Sequence, residues 1–339
     1  MPHRLFRLCA LLLLVAAGCH SAVKTTQATS TSTTLSTSTS TSTSTVGPAT
    51  STTIATTLPT KTTATTLAPA GAAPCGWAPS PPATYQHVIW IWMENHTWPQ
   101  VLGDARAAPY EVALAGRCGT ATNYRSVGSP SLPNYIGATS GSAQGIGDDA
   151  DPASHPLAVD NLFRQVRTAG GTERSYQEAM SPPCQQSSGG EYAVKHNPAA
   201  YYVGGQDRAA CQADDVPLTQ LAPDLASGRL PTFAFITPNL CHDTHDCSVA
   251  TGDAWLSGFL PSLLTSATYR AGATAIILVW DEESPMPNVM IGPAVHPGTV
   301  SSARFDHFAL LRTTEEMLGL PGRLGSAAAA PSLRAPFNL

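Results

Sequence analysis

The stretch His87-Val-Ile-Trp-Ile-Trp-Met93, followed at once by Glu94-Asn95-His96, decides how this chain folds. From Val88 onward it is a dense run of β-branched and aromatic residues with no polar alternation. That is the pattern of a strand covered on both faces, as in a parallel sheet. Two runs of the same kind follow: Thr232-Phe-Ala-Phe-Ile-Thr237, ended by Pro238-Asn239, and Ala273-Thr-Ala-Ile-Ile-Leu-Val-Trp280, ended by Asp281-Glu282-Glu283. Helical spacing of apolar residues over 157–169, 255–266 and 308–318 predicts amphipathic helices between and after them. Strands alternating with helices imply an α/β fold around a mainly parallel sheet. Each run stops on carboxylates, amides or histidines, and ligands of open α/β sheets sit outside the carboxyl ends of the strands.

Working outward, residues 1–19 read as an export signal. His3, Arg4 and Arg7 supply a positive start, and the apolar run 11–17 is too short to span a bilayer. Ala16-Ala17-Gly18 before Cys19 has the form of a lipoprotein cleavage site with Cys19 as the lipidated residue, although Ala16 stands where leucine is usual; plain cleavage near Ala17 is the alternative. Residues 20–73 are almost wholly Thr, Ser, Ala and Pro, with too little apolar surface to offset ordering entropy, so they read as a disordered tether. One folded domain is left, residues 74–339. The net charge of −5 comes without any basic run, which excludes nucleic acid as a partner and leaves the membrane only through a lipid anchor; a monomer is expected. Beyond Cys9 and Cys19, six cysteines remain, an even number that fits disulfides in an oxidising, extracytoplasmic compartment. Of the 15 connectivities that six cysteines allow, the neighbour pairing 75–118, 184–211 and 241–247 is taken as the expectation. Residues 181–215, polar and with two cysteines, read as a stapled excursion over the sheet.

Phosphate ester hydrolysis needs a nucleophile, cations that activate it, and donors for the non-bridging oxygens. Four clusters carry suitable groups: Glu94-Asn95-His96; Ser129-Pro-Ser131-Leu-Pro-Asn134-Tyr135; Asn239-Leu-Cys-His242-Asp243-Thr-His245-Asp246; and Asp281-Glu282 with the later Asp306-His307. Singly each has a bland reading: a solvated turn residue, a loop serine, a polar loop held by a small disulfide ring. Jointly they are harder to set aside, because three of them follow buried strands.

Here the sequence resembles the bacterial and fungal phosphoesterase family that contains acid phosphatases and phospholipases C. The likeness runs in order through Glu94-Asn-His-Thr-Trp-Pro-Gln-Val-Leu-Gly103, Pro130-Ser-Leu-Pro-Asn-Tyr-Ile-Gly-Ala-Thr-Ser-Gly141, Tyr176-Gln-Glu178, Tyr192-Ala-Val-Lys-His-Asn-Pro198, Leu230 to Asn239, Asp243-Thr-His-Asp246, Gly252-Asp-Ala-Trp-Leu256, Trp280-Asp-Glu282 and Asp306 to Thr313. It implies an alkaline phosphatase-like fold, a three-layer sandwich with a metal site at the strand ends.

By the same resemblance Ser131 is the nucleophile and Asn134 a donor to the phosphoryl group, with Asn95 beside them. Glu94, Asp281 and Glu282 would hold the divalent metal that activates Ser131. Asp243, His245 and His307 would hold a second metal or contact phosphate, and Lys195 and His196 would face the substrate. Two departures stand out: Ser129 where the family has histidine, and Glu283-Ser-Pro-Met-Pro where it continues with glycine and acidic residues. Neither Ser129 nor Ser131 has the downstream arginine of a sulfatase. The expectation is a phosphoric ester hydrolase of phosphomonoesterase type, with a phosphodiesterase or phospholipase C, or a catalytically silent surface binding protein, as the alternatives.

Overall fold

The computed structural model describes residues 73–339. The expected export signal, Cys19 and the tether lie outside the described residues, apart from Ala73. The strands are β1 (His87–Met93), β2 (Gly119–Ala121), β3 (Tyr124–Arg125), β4 (Glu173–Gln177), β5 (Asp215–Pro217), β6 (Phe233–Thr237), β7 (Thr274–Trp280), β8 (Asn288–Ile291), β9 (Thr299–Ser301) and β10 (Phe305–Asp306). Eight form one sheet in the order β5-β4-β6-β1-β7-β8-β2-β9, and β3 pairs with β10. From β5 to β7 the neighbours are parallel, while β8 runs antiparallel to β7 and β2. The mainly parallel sheet expected from the three apolar runs is present, and those runs are its three central strands.

Side chains alternate across a strand, so β1 shows both faces of the sheet. On one face Trp90 donates its indole N–H to Thr314 in the helix His307–Met317 at 2.9 Å, and Trp92 packs on Tyr135 in the helix Ser131–Ser140. On the other, Met93 reaches Gly252 in the helix Val249–Leu264. Helices therefore cover both faces of a three-layer sandwich, and every β1 residue after His87 is buried. Each such apolar side chain contributes about 1.5–3 kcal/mol, so the strand ends that carry the site rest on a well-buried base.

Local chemistry sets the boundaries. The helix expected from residue 157 begins only at Leu162, because the Asn161 side chain accepts from Arg164 N at 2.9 Å and caps it. Leu157 instead bridges to Tyr202. The disulfides are Cys75–Cys118, Cys184–Cys211 and Cys241–Cys247, the neighbour pairing. The excursion 181–215 carries the second of them and returns the short turn Val194–His196 to the Ser131–Ser140 helix. Among the described residues no helix is long and apolar enough to cross a membrane.

Candidate active site

The site lies where the central strands end. Met93 and Trp280 are register partners on β1 and β7, so Glu94 and Asp281 emerge side by side. Both are fully buried. Asn95 turns the chain at φ 55°, a left-handed conformation that asparagine tolerates, and its N–H donates to Asp281 Oδ1 at 3.2 Å. Its side chain lies among three carboxylates. With Nδ2 turned toward them it donates to Glu94 Oε2 at 3.1 Å, and to Glu282 Oε1 and Asp281 Oδ1 at 3.2 Å. In the reverse orientation the amide oxygen joins an all-oxygen cluster, the donor set of a hard cation.

Ser131 opens the Ser131–Ser140 helix, all of whose residues are buried. Its hydroxyl donates to Glu94 Oε2 at 3.1 Å. Tyr135, one turn on and so on the same face, donates to the other Glu94 oxygen. Ser129, in the place of the family histidine, lies beside Glu282 and opposes the rise that burial gives its pKa.

The loop between β6 and the Val249–Leu264 helix closes the opposite side. Its Asp243 carbonyl accepts from Glu94 N at 2.8 Å, and the Thr244 hydroxyl donates to Glu94 O at 2.8 Å. Thr244 holds φ 78°, a costly conformation for a β-branched residue. Gly252 lets the helix seat against this loop: a Cβ there would lie 2.3 Å from Thr244 Cγ2 and 3.0 Å from His242 O. His196 sits buried between the two carboxylates, with Nε2 3.3 Å from Glu94 Oε1 and Nδ1 3.3 Å from Asp243 Oδ2. Beside it, His245 receives Lys195 Nζ at 3.3 Å on Nε2 and meets Asp246 through Nδ1 at 2.7 Å.

Burial dominates the electrostatics. It raises Glu94 well above the usual carboxylate range, helped by Asp281 and Asp243, and it raises Asp281 and Asp243 to about 7. Glu282 is also raised by burial, and His196 is held well below the usual histidine value by burial, then by Lys195 and His245. Carboxylates converging this closely oppose one another's ionisation, and a bound cation would relieve the conflict. Asp281 Oδ2, buried and without a hydrogen-bond partner, is a free ligand atom for it. Glu94, Asn95, Asp281 and Glu282 therefore fit a divalent metal, with Ser131 alongside. Glu94, His196 and His245 also bring ligand atoms within 4.8 Å of one another. Cys184, Cys211 and Asp215 converge too, but both thiols are spent in a disulfide.

Two expected residues occupy different positions. His307 is fully buried beneath the site, with Nε2 at 2.7 Å from the Asp281 carbonyl and Nδ1 at 3.3 Å from the Tyr124 hydroxyl. Both ring nitrogens are engaged within the protein, which leaves neither for a metal or phosphate, and burial lowers its pKa to about 4. Asn134 accepts from Val127 N and Gly128 N at 2.9 Å and donates to the Gly128 and Pro130 carbonyls. Its amide is committed to the loop that delivers Ser131 instead of facing a ligand. Tyr135 stood in the Ser129–Tyr135 cluster without a role, although its four-residue spacing from Ser131 places both on one helix face. Sequence reasoning missed Asp149, which bonds Leu132 N and Lys195 across long sequence separations that leave no local mark.

A buried serine at a helix N-terminus, faced by carboxylates at the ends of parallel strands, is the arrangement that the phosphoesterase resemblance implies. Residues 92–286 match the model of the phosphoesterase family. The chain is 30% identical over 273 residues to a phosphatidylinositol-3-phosphatase of Mycobacterium tuberculosis, covering 78% of this chain and 87% of that one. It is 27% identical to an acid phosphatase of Aspergillus fumigatus, covering 68% of this chain but only 54% of the fungal protein. In fold it is similar to a protein in the alkaline phosphatase superfamily from Vibrio parahaemolyticus, with a TM-score of 0.51, 13% identity and coverage of 76% and 74% of the two chains. The chain belongs to the phosphoesterase family and is a phosphoric ester hydrolase.

Proposed function

We propose that residues 74–339 form an exported, metal-dependent phosphomonoesterase that works through a phosphoseryl intermediate on Ser131. The observation that carries this reading is the Ser131 hydroxyl donating to Glu94 Oε2 at 3.1 Å, inside a cluster of buried carboxylates. Phosphatase names among the relatives support a monoester substrate. The three disulfides suit an extracytoplasmic compartment, and the export signal, the tether and lipidation at Cys19 would display the domain outside the cell.

A divalent cation held by Glu94, Asn95, Asp281 and Glu282 would lower the serine's pKa and offset phosphoryl charge. The residues supply the rest. With its hydrogen directed at Glu94, Ser131 Oγ keeps its lone pairs for phosphorus. Ser131 passes its proton to Glu94 as the Oγ–P bond forms and the bond to the leaving oxygen breaks in line, the leaving oxygen taking a proton from solvent; water then attacks phosphorus, the P–Oγ bond breaks to release phosphate, and Ser131 Oγ takes a proton back. Lys195 offers a donor to the non-bridging oxygens. Tyr135 fixes the Glu94 carboxylate, Asn134 fixes the 127–130 loop, and neutral His196 keeps Glu94 and Asp243 apart. Asp243 and His245 line the second side, where a further cation or the phosphate itself would bind.

Acid quenching during turnover tests this directly. The peptide containing Ser131 should carry one phosphoryl group, and labelling of a different residue would overturn the assignment.

A further inference from the structure

Lys195 is the lysine that faces this site, and a flexible ammonium needs something to hold it. Asp149 does so. Its Oδ2 accepts from Lys195 Nζ at 3.1 Å, while its Oδ1 accepts from Leu132 N at 3.0 Å, the main-chain amide immediately after the nucleophile. The helix that begins at Ser131 is preceded by Pro130, which brings no capping side chain, so Asp149 supplies that acceptor from a separate loop. The loop is itself fixed: Ile146 is buried, and the Tyr201 hydroxyl donates to Ala150 O at 3.0 Å. On the far side of the ammonium, His245 Nε2 receives it at 3.3 Å, with Asp246 at 2.7 Å from the other ring nitrogen. An unbroken line therefore runs from Asp246 through His245, Lys195 and Asp149 to the amide next to Ser131. The Lys195 and Asp149 side chains are 20% and 27% exposed, so a substrate anion arriving from solvent meets them.

We propose that Asp149 is a positioning residue for phosphate recognition: it registers the Lys195 ammonium against the N-terminal end of the nucleophile helix. Acting through Lys195, it sets affinity for the phosphoryl group more than the rate of the chemical step. This inference rests on the phosphomonoesterase reading of the same site.

Two roles of Asp149 can be separated. Asp149→Asn keeps an oxygen for Leu132 N but loses the ion pair, whereas Asp149→Ala loses both. For the disulfide-bonded, metal-loaded domain, Asp149→Asn should raise KM for a phosphate monoester roughly tenfold, the scale of one charge-assisted hydrogen bond, with kcat within about twofold. Its calorimetric Kd for inorganic phosphate should weaken by a similar factor and its Tm should stay near wild type. In a Lys195→Ala background the same change should have no further effect on KM or Kd, and Asp149→Glu should restore part of the loss. Unchanged or tighter phosphate binding by Asp149→Asn, or an equal effect with and without Lys195, would overturn the proposal. Because phosphate binding is read without turnover, a wild-type domain that binds phosphate but hydrolyses nothing would count against the phosphomonoesterase reading and not against this role.

Discussion

Ser131 and Glu94, 37 residues apart in the chain, meet at 3.1 Å because one opens a buried helix and the other ends the central strand packed against it. The proposed nucleophile and its carboxylate partner are thus carried by two buried, mutually packed elements of the domain. The consequences of that placement can be measured.

Metal and protein stability should be linked through Asp281. In the metal-free domain Asp281→Asn removes a buried carboxylate that faces Glu94 and Glu282, and Tm should rise. With metal at about 100 times its Kd, wild type should gain about 2.7 kcal/mol, and the variant should lose most of that gain. Thermal unfolding with and without chelator checks both signs.

The pH dependence of the metal-free domain follows from the same carboxylates. Asp281 and Asp243 are raised to about 7 by burial, from the ordinary 3.8. At these two carboxyls the folded state then holds protons that the unfolded state has released, so their contribution to stability falls as pH rises between those values and levels off above about 7, against the opposite slope that buried His196 and His307, both lowered, contribute below the ordinary histidine value. A bound cation favours the ionised carboxylates and should flatten or reverse the trend. Chemical denaturation from pH 4 to 8, apo and metal-loaded, beside Asp281→Asn, distinguishes these outcomes; an apo pH profile that Asp281→Asn leaves unchanged would contradict the assignment.

Gly252→Ala should destabilise by about 1–3 kcal/mol through overpacking, because the new methyl would press on Thr244 and His242 O. Activity should fall as well, since the displaced loop carries Asp243 and His245. Denaturant midpoints together with KM and kcat report the two effects.

His307→Gln should cost about 1–3 kcal/mol of stability from broken buried hydrogen bonds. The number of metal ions bound should not change. Loss of one bound metal would show that the histidine leaves its bonds to Asp281 O and Tyr124 on metal loading.

The architecture was legible because its signal is local. Apolar runs at 88–93, 233–237 and 274–280 have no other good use than as buried parallel strands, and chemistry at their ends follows from topology. The roles of His307 and Asn134 were not legible, since residue type says what a group can do and not which way it points. Asp149 was hidden for a related reason: its partners, Leu132 and Lys195, lie 17 and 46 residues away. Asp253 is similar, accepting from Tyr110 N and Glu111 N to cap a helix far from it in sequence.

The most direct test uses a fragment of residues 74–339 with its disulfides formed, given a phosphate monoester and a phosphate diester, with divalent metals and with chelator, beside Ser131→Ala. Turnover of the monoester is expected, removed by chelator, restored by metal, and lowered by at least about a thousandfold in Ser131→Ala. Preference for the diester would move the protein to the phosphodiesterases. Turnover that survives in Ser131→Ala, or a folded, metal-loaded domain that hydrolyses neither ester, would contradict the account.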